Sequence, residues 1–530
     1  VLVIMGSGGC VAEETVNKMQ ETGEKVGVIK VRLYRPFHVE AFINALPKTC
    51  KRIAVLDRTK EAGALGEPLY LDVCAVLQEK GIFDVQVFGG RYGLGSKDFT
   101  PTMCYSVFQN LKSPTPKNHF TVGINDDVTH TSLDVSRKYH TEPKDRVGCK
   151  FYGLGSDGTV GANKNAVKII GNRTSLHVQG YFCYDSRKSG GATISHLRFG
   201  KTPITSSYLI DNADFVACHN PSYATRYDML SDCKDGGVFL LNCPCATPQE
   251  VDEFLTDFIK AQIAKKALRF YVIDATKIAN ESGLNGRTGT IMQAAFFLLN
   301  PSILPYEQAK QYLKEEIEKT FSRKGEEIVK NNLSALEKTE KAVWEMQYSN
   351  EWKNIEVKHE KTTSKGEYFE NFIHPILSLE GDKLPVSAFQ PDGSVPTGTT
   401  KLEKHGVPFE MPLWIPENCI QCNQCSFVCP HACIRPIIFP QHVSTPSSFK
   451  NIAAIGLKET RFRVQVSPHD CMGCGVCANV CPAKEKALVM RKSIDCMPQE
   501  GKNWEFSQNV ERAISTFPRN SVKGSQFYSP

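Results

Sequence analysis

The sequence predicts a multidomain α/β protein with two doubly wound parallel-sheet domains, an irregular helical linker and a small cysteine-rich α+β domain. Short apolar strands alternate with amphipathic helices, which predicts parallel sheets covered on both faces. The alternation stops in a polar stretch and then restarts, which predicts a second such domain. Eight cysteines in two runs of identical spacing predict the third domain.

Bulk composition is that of a soluble globular protein. The 530 residues suggest three or four domains, and a net charge of +6 without a basic stripe argues against nucleic-acid binding. The longest strongly apolar stretch, Ile291–Leu299, is far shorter than the ~20 residues of a membrane span. Because the chain starts at Val1 in what reads as a strand already begun, we expect a fragment of a longer protein.

The first predicted domain covers residues 1–111, and the polar, proline-containing stretch 112–146 is predicted to be a linker. Its expected strands are Val1–Ile4, Lys25–Val31, Arg52–Leu56 and Val85–Phe88. Its expected helices are Val11–Gln20, His38–Leu46 and Pro68–Lys80. The turn Gly6–Gly9 between the first strand and helix is interpreted as a tight connection without a ligand.

The second predicted domain covers residues 147–305. Its expected strands lie near Cys149–Tyr152, Leu176–Tyr184, Phe215–Cys218, Val238–Leu241 and Phe270–Asp274. Its expected helices are Ala162–Ile170, Pro248–Lys265 and Thr290–Leu299. Residues 306–415 are predicted to be a helical and then extended linker, residues 416–497 the cysteine-rich domain, and residues 498–530 the start of a further domain that is missing.

Each cysteine run has three cysteines two residues apart and a fourth before a proline. Such a pattern predicts a bacterial-type two-cluster domain in which the fourth cysteine of each run ligates the other cluster. One [4Fe–4S] cluster is assigned to Cys419, Cys422, Cys425 and Cys481, and the other to Cys471, Cys474, Cys477 and Cys429. Zinc sites take their ligands as separated pairs, so zinc is disfavoured. Cys433 lies off the pattern and is not expected to be a ligand.

A glycine-rich turn opens the second domain at Gly153, Gly155, Gly158 and Gly161. A strand that runs through glycines into a helix can present backbone amides to a phosphate, and Asp185 after the next strand would fit a dinucleotide site. Lys164 and Ser186–Gly191 instead favour a more highly phosphorylated ligand. A turn that only packs helix against strand remains the alternative.

Several longer segments resemble pyruvate:ferredoxin (flavodoxin) oxidoreductases, and the resemblance keeps domain order over nearly the whole chain. The segments are Lys30–Phe37, Leu56–Val73, Tyr152–Asn165, Tyr184–Gly191, His196–Gly200, Asn285–Phe297 and Cys419–Ala432. The resemblance implies a transketolase carboxyl-terminal-like first domain, a gamma-type second domain and a built-in two-cluster ferredoxin. It implies a central fragment that lacks both thiamine-diphosphate-binding domains, since no thiamine–magnesium motif is present.

The resemblance also implies an activity for the complete enzyme: oxidative decarboxylation of pyruvate to acetyl-coenzyme A, with ferredoxin or flavodoxin as electron acceptor. Thiamine diphosphate, Mg²⁺, a third [4Fe–4S] cluster and the catalytic residues would belong to the missing domains. A homodimer is expected, in the cytoplasm or in a hydrogenosome-like anaerobic organelle. Residues implied for coenzyme A are Gly155, Ser156, Asp157, Gly158, Thr159, Asn163 and Lys164.

Two other functions stay open on the sequence. One is a different 2-oxo acid oxidoreductase or a fusion that passes electrons to NADP. The other belongs to a different class, a stand-alone iron–sulfur electron-transfer protein.

Overall fold

Two compact units make up the part of the chain that is described, residues 1–155, 157–185, 190–284, 286–357 and 365–513 of a computed structural model. The first unit comprises Val1–Asp185 and Ala192–Thr397, and the second is built mainly from the described residues from Gly398 onward. Among the described residues, no helix has both the length and the apolar character needed to cross a bilayer.

A five-stranded parallel sheet forms the first half of the first unit, in the strand order β2-β1-β3-β4-β5. Its strands are β1 (Leu2–Met5), β2 (Val28–Val31), β3 (Arg52–Asp57), β4 (Gln86–Arg91) and β5 (Phe120–Thr121). Its helices are α1 (Gly8–Glu21), α2 (Val39–Ala45), α3 (Pro68–Glu79) and α4 (Pro101–Lys112). The fifth strand comes from the predicted linker, where Phe120 is fully buried in the core.

A seven-stranded sheet forms the second half, in the order β12-β11-β10-β9-β6-β8-β7. Its strands are β6 (Val147–Leu154), β7 (His177–Tyr184), β8 (Ala192–Gly200), β9 (Ala213–Cys218), β10 (Cys233–Asn242), β11 (Arg269–Ile273) and β12 (Trp344–Glu345). Its helices are α5 (Thr159–Arg173), α6 (Pro248–Phe254), α7 (Asp257–Lys265), α8 (Ala275–Glu281), α9 (Gly289–Leu299), α10 (Tyr306–Phe321) and α11 (Glu326–Ala342).

The predicted class of parallel-sheet α/β domains is confirmed, and the second sheet adds antiparallel edges to its parallel centre. Strands β6, β9, β10 and β11 are parallel to one another. Strands β7 and β8 form an antiparallel pair at one edge, and β12 is antiparallel at the other. The second domain is expected to end at residue 305, but the core of its sheet continues beyond that residue. Helices α10 and α11 bury Leu313, Ile317 and Leu336 in this core.

After β12 the chain is mostly irregular up to the second unit, as expected for an extended segment. It includes a π-helical turn at Phe369–Ile373 followed by α12 (His374–Leu377). This segment contacts the first half of the unit: Val386 donates its backbone N–H to the Asn125 carbonyl at 2.9 Å. Lys97 also pairs with Asp382 at 2.6 Å.

The second unit contains a two-stranded and a three-stranded antiparallel sheet. Its elements are β13 (Glu410–Trp414), α13 (Gln424–Phe427), β14 (Ile434–Pro440), β15 (Ile452–Ala453), β16 (Thr460–Val466), α14 (Val476–Val480), β17 (Leu488–Lys492) and α15 (Ser493–Asn509). The expected boundary after residue 497 falls inside α15. This helix looks polar in sequence because its buried face carries polar residues, including Asn503, which donates to the Ser448 carbonyl at 3.3 Å.

Candidate metal centre and glycine-rich turn

The two cysteine runs fold into loops with the same backbone pattern. In the second run Gly473 and Gly475 have positive φ angles of 69° and 74°, as suits residues without a Cβ. The first run has Gln421 and Asn423 at the matching positions, with φ angles of 56° and 61°. A left-handed conformation therefore recurs after the first and second cysteines of each run, and it turns the loop so that three thiols face one side.

Gln421 offsets its unfavourable backbone conformation through side-chain hydrogen bonds. Its Nε2 donates to the Ala453 carbonyl at 2.7 Å, and its Oε1 accepts from the Ile455 backbone N–H at 2.8 Å. Both partners lie in the long connection between the cysteine runs. That connection therefore braces the first loop, a role that the spacing of the cysteines did not reveal.

Each cysteine loop opens onto a cavity lined by four of the predicted ligands. The first cavity is lined by Cys419, Cys422, Cys425 and Cys481, together with Trp414 and Leu488. The second is lined by Cys429, Cys471, Cys474 and Cys477, together with Cys433 and Pro412. Three cysteines of one run and the last cysteine of the other thus surround each cavity.

The donor set and its arrangement fit an iron–sulfur cluster better than a single ion. A tetrahedral zinc site brings four ligands within about 2.3 Å of one point. Within the described ranges, no three His, Cys, Asp or Glu side chains converge in that way. The thiols surround a volume instead, as four corners of a cubane cluster require.

Cys433 occupies a special position in the second cavity. Its thiol donates to the Asp470 carbonyl at 2.9 Å, and its backbone N–H donates to the Cys429 sulfur at 3.2 Å. The expectation that Cys433 is not a ligand stays a prediction.

The glycine-rich turn between β6 and α5 is held by Asp157. Its carboxylate accepts from the backbone N–H of Leu154 and of Thr159, at 2.8 and 2.7 Å, and from the Thr159 hydroxyl at 2.8 Å. Gly153 permits this closure, because a Cβ at that position would lie 2.5 Å from the Thr159 hydroxyl. Asp157 and Thr159 therefore maintain the shape of the turn.

The residues implied for coenzyme A are divided between the interior and the surface. Thr159 and Asn163 are buried, whereas Gly158, just before α5, and Lys164, in the second turn of α5, are exposed. The Lys164 ammonium lies 5.2 Å from the ring centroid of Phe182 on β7. Ser156 and residues 186–189 of the predicted phosphate-binding stretch lie outside the described residues.

His219, which sequence reasoning missed, connects the end of β9 to this turn. Its Nδ1 lies 2.8 Å from the Thr159 hydroxyl, and its carbonyl accepts from Asn242 at 2.8 Å. Burial lowers the pKa of His219 to about 4, so the ring is neutral near pH 7. Only its place after a buried strand, at the carboxyl edge of the sheet, could have singled it out.

The turn Gly6–Gly9 in the first sheet has a packing explanation. A Cβ on Gly8 would lie 2.7 Å from Ile4 and 2.9 Å from the ring of Tyr92. The glycine thus allows α1 to start close against the sheet. This agrees with the interpretation of a connection without a ligand, which stays a prediction.

The fold and the cysteine cavities define an α/β protein with a built-in two-cluster iron–sulfur domain. Sequence profiles agree: residues 418–484 match the 4Fe–4S dicluster domain, and residues 148–342 match pyruvate ferredoxin/flavodoxin oxidoreductase. Residues 1–103 match core domain II of pyruvate:ferredoxin oxidoreductase, and residues 354–408 match a domain of unknown function. The chain therefore contains a pyruvate ferredoxin/flavodoxin oxidoreductase domain and a 4Fe–4S dicluster domain, and the expectation of two [4Fe–4S] clusters is confirmed.

Three relatives illustrate how much of the family's length is present. The pyruvate:ferredoxin oxidoreductase of Moorella thermoacetica is 53% identical over 100% of this chain and 45% of its own length. The pyruvate-flavodoxin oxidoreductase of Trichormus variabilis is 48% identical over 96% of this chain and 44% of its own length. The mitochondrial pyruvate dehydrogenase [NADP(+)] of Euglena gracilis is 44% identical over 100% of this chain and 30% of its own length. The chain spans less than half the length of these relatives.

Proposed function

We propose that this chain is the electron-carrying central part of a pyruvate:ferredoxin (flavodoxin) oxidoreductase. The observation that carries the proposal is the crossing of the two cysteine runs over two cavities. Cys419, Cys422, Cys425 and Cys481 hold one cluster, and Cys471, Cys474, Cys477 and Cys429 hold the other. When bound, these clusters supply one-electron transfer at low potential.

The protein's own contribution is to fix the sulfur ligands and surround them with donors. Backbone N–H groups point at three ligand sulfurs: Cys433 at Cys429 (3.2 Å), Gly473 at Cys471 (3.4 Å) and Ala487 at Cys481 (3.4 Å). Such hydrogen bonds favour the thiolate over the thiol and stabilise negative charge at the cluster. The exposed thiols of Cys422 and Cys474 place each site near the surface, where a redox partner can approach.

For the complete protein we propose the reaction that the family relationship suggests. Pyruvate is oxidatively decarboxylated on thiamine diphosphate with Mg²⁺, electrons leave through [4Fe–4S] clusters, a third one included, and coenzyme A accepts the acetyl group. Ferredoxin or flavodoxin takes the electrons, and the enzyme is a homodimer of the cytoplasm or of an anaerobic organelle. A fusion that reduces NADP is the second candidate, favoured by the name of the Euglena relative.

Metal analysis of anaerobically reconstituted chain tests the proposal. We expect about eight iron and eight acid-labile sulfide per chain. Cys481→Ser should damage the cluster held mainly by the first run, because Cys481 lines the first cavity. Cys496→Ser is the matched control, since Cys496 lines neither cavity. If Cys481→Ser alters only the signals of the other cluster, the crossed assignment is wrong.

We further propose that the turn from Gly155 to Lys164 receives phosphate groups of coenzyme A. The observations in favour are the backbone geometry of Gly158, which caps a 15-residue helix with a φ of +93°, and the exposed side chain of Lys164 in the second turn of that helix. A helix amino terminus favours an anion, and a lysine adds a charge-assisted hydrogen bond of about 1.5–3 kcal/mol.

Lys164→Ala in the complete enzyme should raise the apparent Michaelis constant for coenzyme A roughly tenfold or more. Decarboxylation before acetyl transfer should change little. Lys168→Ala, one turn further along the same helix and also exposed, is the control. If both variants and the unsubstituted enzyme have the same Michaelis constant for coenzyme A, Lys164 does not take part in binding coenzyme A.

A further inference from the structure

Trp414, the last residue of β13, lines the first cavity with an indole N–H that makes no hydrogen bond among the described residues. The side chain is only 6% exposed and lines the cavity with Cys419, Cys422, Cys425 and Cys481. Its indole nitrogen is buried and has no hydrogen-bond partner among the described residues. A buried N–H without an acceptor costs free energy, so its place at the cavity wall requires an explanation.

Four cysteines line the cavity together with Trp414: Cys419, Cys422, Cys425 and Cys481. With a cluster held there, their sulfurs carry negative charge and can accept a hydrogen bond from the indole N–H.

Neighbouring side chains fix the orientation of this indole. Phe462 meets it edge-on with ring centroids 6.2 Å apart, and the Arg463 guanidinium lies 5.8 Å from its centroid. Arg463 is itself anchored by a bond to Glu500 at 2.9 Å and by a bond to the Lys450 carbonyl at 2.8 Å. The packing of Phe462 and the anchored guanidinium of Arg463 therefore restrict the rotamer of Trp414 and the direction of its indole N–H.

Strand β13 contributes a different side chain to the wall of each cavity. Pro412 lies two residues before Trp414, on the same face of β13, and lines the second cavity. A proline side chain offers no N–H, whereas the indole does. One strand therefore gives a side-chain donor to the first cavity and none to the second.

We propose that Trp414 raises the reduction potential of the cluster held by Cys419, Cys422, Cys425 and Cys481 by donating its indole N–H to a sulfur of that cluster. Reduction adds one electron, and so one negative charge, to that cluster. A hydrogen bond to a sulfur strengthens as the charge there grows, and it therefore favours the reduced state. Trp414 acts as a positioning residue, and the inference rests on the proposed function because it requires this cluster.

Potentiometric titration of the reconstituted full chain, followed by electron paramagnetic resonance, is the test. Trp414→Phe keeps an aromatic ring but removes the donor, so one of the two midpoint potentials should fall and the other should stay in place. Phe462→Leu is the matched control, since it alters the packing of the same indole without removing a donor. Unchanged midpoints in Trp414→Phe, or an equal shift in Phe462→Leu, would overturn the inference.

A measurement on the unsubstituted chain covers the case in which Trp414→Phe does not retain its clusters. With ¹⁵N-indole-labelled tryptophan, pulsed resonance on the reduced protein should detect a ¹⁵N coupled to one cluster. Absence of that coupling would overturn the inference. Failure to incorporate iron in the unsubstituted chain would instead overturn the proposed function, so the two failures are distinguishable.

Discussion

The neighbours of His219 decide which of its ring nitrogens carries the proton. The Thr159 hydroxyl has one proton and donates it to Asp157 at 2.8 Å. At the 2.8 Å contact with His219 the hydroxyl must therefore accept, so Nδ1 carries the proton. The Nε2 atom, buried without a partner among the described residues, is then the bare nitrogen.

We expect His219→Asn and His219→Gln to differ in stability. The asparagine amide can place an N–H where Nδ1 lies, whereas the longer glutamine places it near Nε2. Urea unfolding should show His219→Gln to be less stable than His219→Asn by about 1 kcal/mol, the value of one hydrogen bond. Thr159→Val should abolish the difference in a double-mutant cycle. Equal stability of the two variants would contradict the assigned tautomer.

The same residue should contribute to acid sensitivity. Its pKa is about 4 in the folded protein, below the unfolded value of about 6.5. The unfolded state therefore binds the proton first, and the stabilisation present above pH 6.5 is lost as the pH falls towards 4.

At the scale of elements, β6 and α5 each contain a glycine, and the two glycines have opposite effects on stability. Gly153→Ala should destabilise the protein by about 1–3 kcal/mol, because its Cβ would lie 2.5 Å from Thr159. Gly161→Ala should stabilise it by up to about 1 kcal/mol, because Gly161 lies within α5 with nothing inside 4 Å of a new Cβ. Thermal unfolding measures both, and a stability unaffected by Gly153→Ala would contradict the close contact.

Buried polar side chains explain why sequence patterns missed one strand of the second sheet. Strands β3, β9 and β10 were predicted from the apolar runs Ile53–Leu56, Phe215–Cys218 and Val238–Leu241, although β10 begins five residues before its run, at Cys233. Strand β8 was not predicted, because its buried positions include Ser195, His196 and Arg198, which break the apolar pattern. The hydrogen bonds of Arg198 Nη1 are tertiary: it donates to the Gln179 side chain at 3.1 Å and to the Tyr208 carbonyl at 2.8 Å.

The cysteine-lined cavities likewise combine features that the sequence reveals with features that it does not. Cysteine spacing predicts the two ligand sets, because the spacing of three ligands within one run is a local property of the chain, and the assignment of these ligands stays a prediction. Trp414 and Gln421 could not be found that way, since their roles depend on contacts with β16 and with the Ala453–Ile455 segment. Contacts distant in sequence leave no periodic signal.

For the whole molecule, the two units differ in what their cores are made of. The sheets of the first unit enclose aliphatic and aromatic side chains, with Phe151, Phe215 and Phe296 among the fully buried ones. The main core of the second unit instead includes Cys471 and Cys477, two of the predicted cluster ligands, with Cys419, Cys425 and Cys429 packed at its edge. Its stability should therefore depend on what the thiols hold.

Removal of the clusters should consequently unfold one unit and spare the other. After treatment with an oxidant and an iron chelator, hydrogen exchange should accelerate in β13, β16 and β17, because the cysteine-lined cavities then lose their contents and their packing. Strands β3, β9 and β10 should keep their protection, since their cores contain none of the eight ligand cysteines. The same treatment of the Cys496→Ser control should give the same pattern. Equal loss of protection in both units would mean that the clusters stabilise the chain as a single cooperative body.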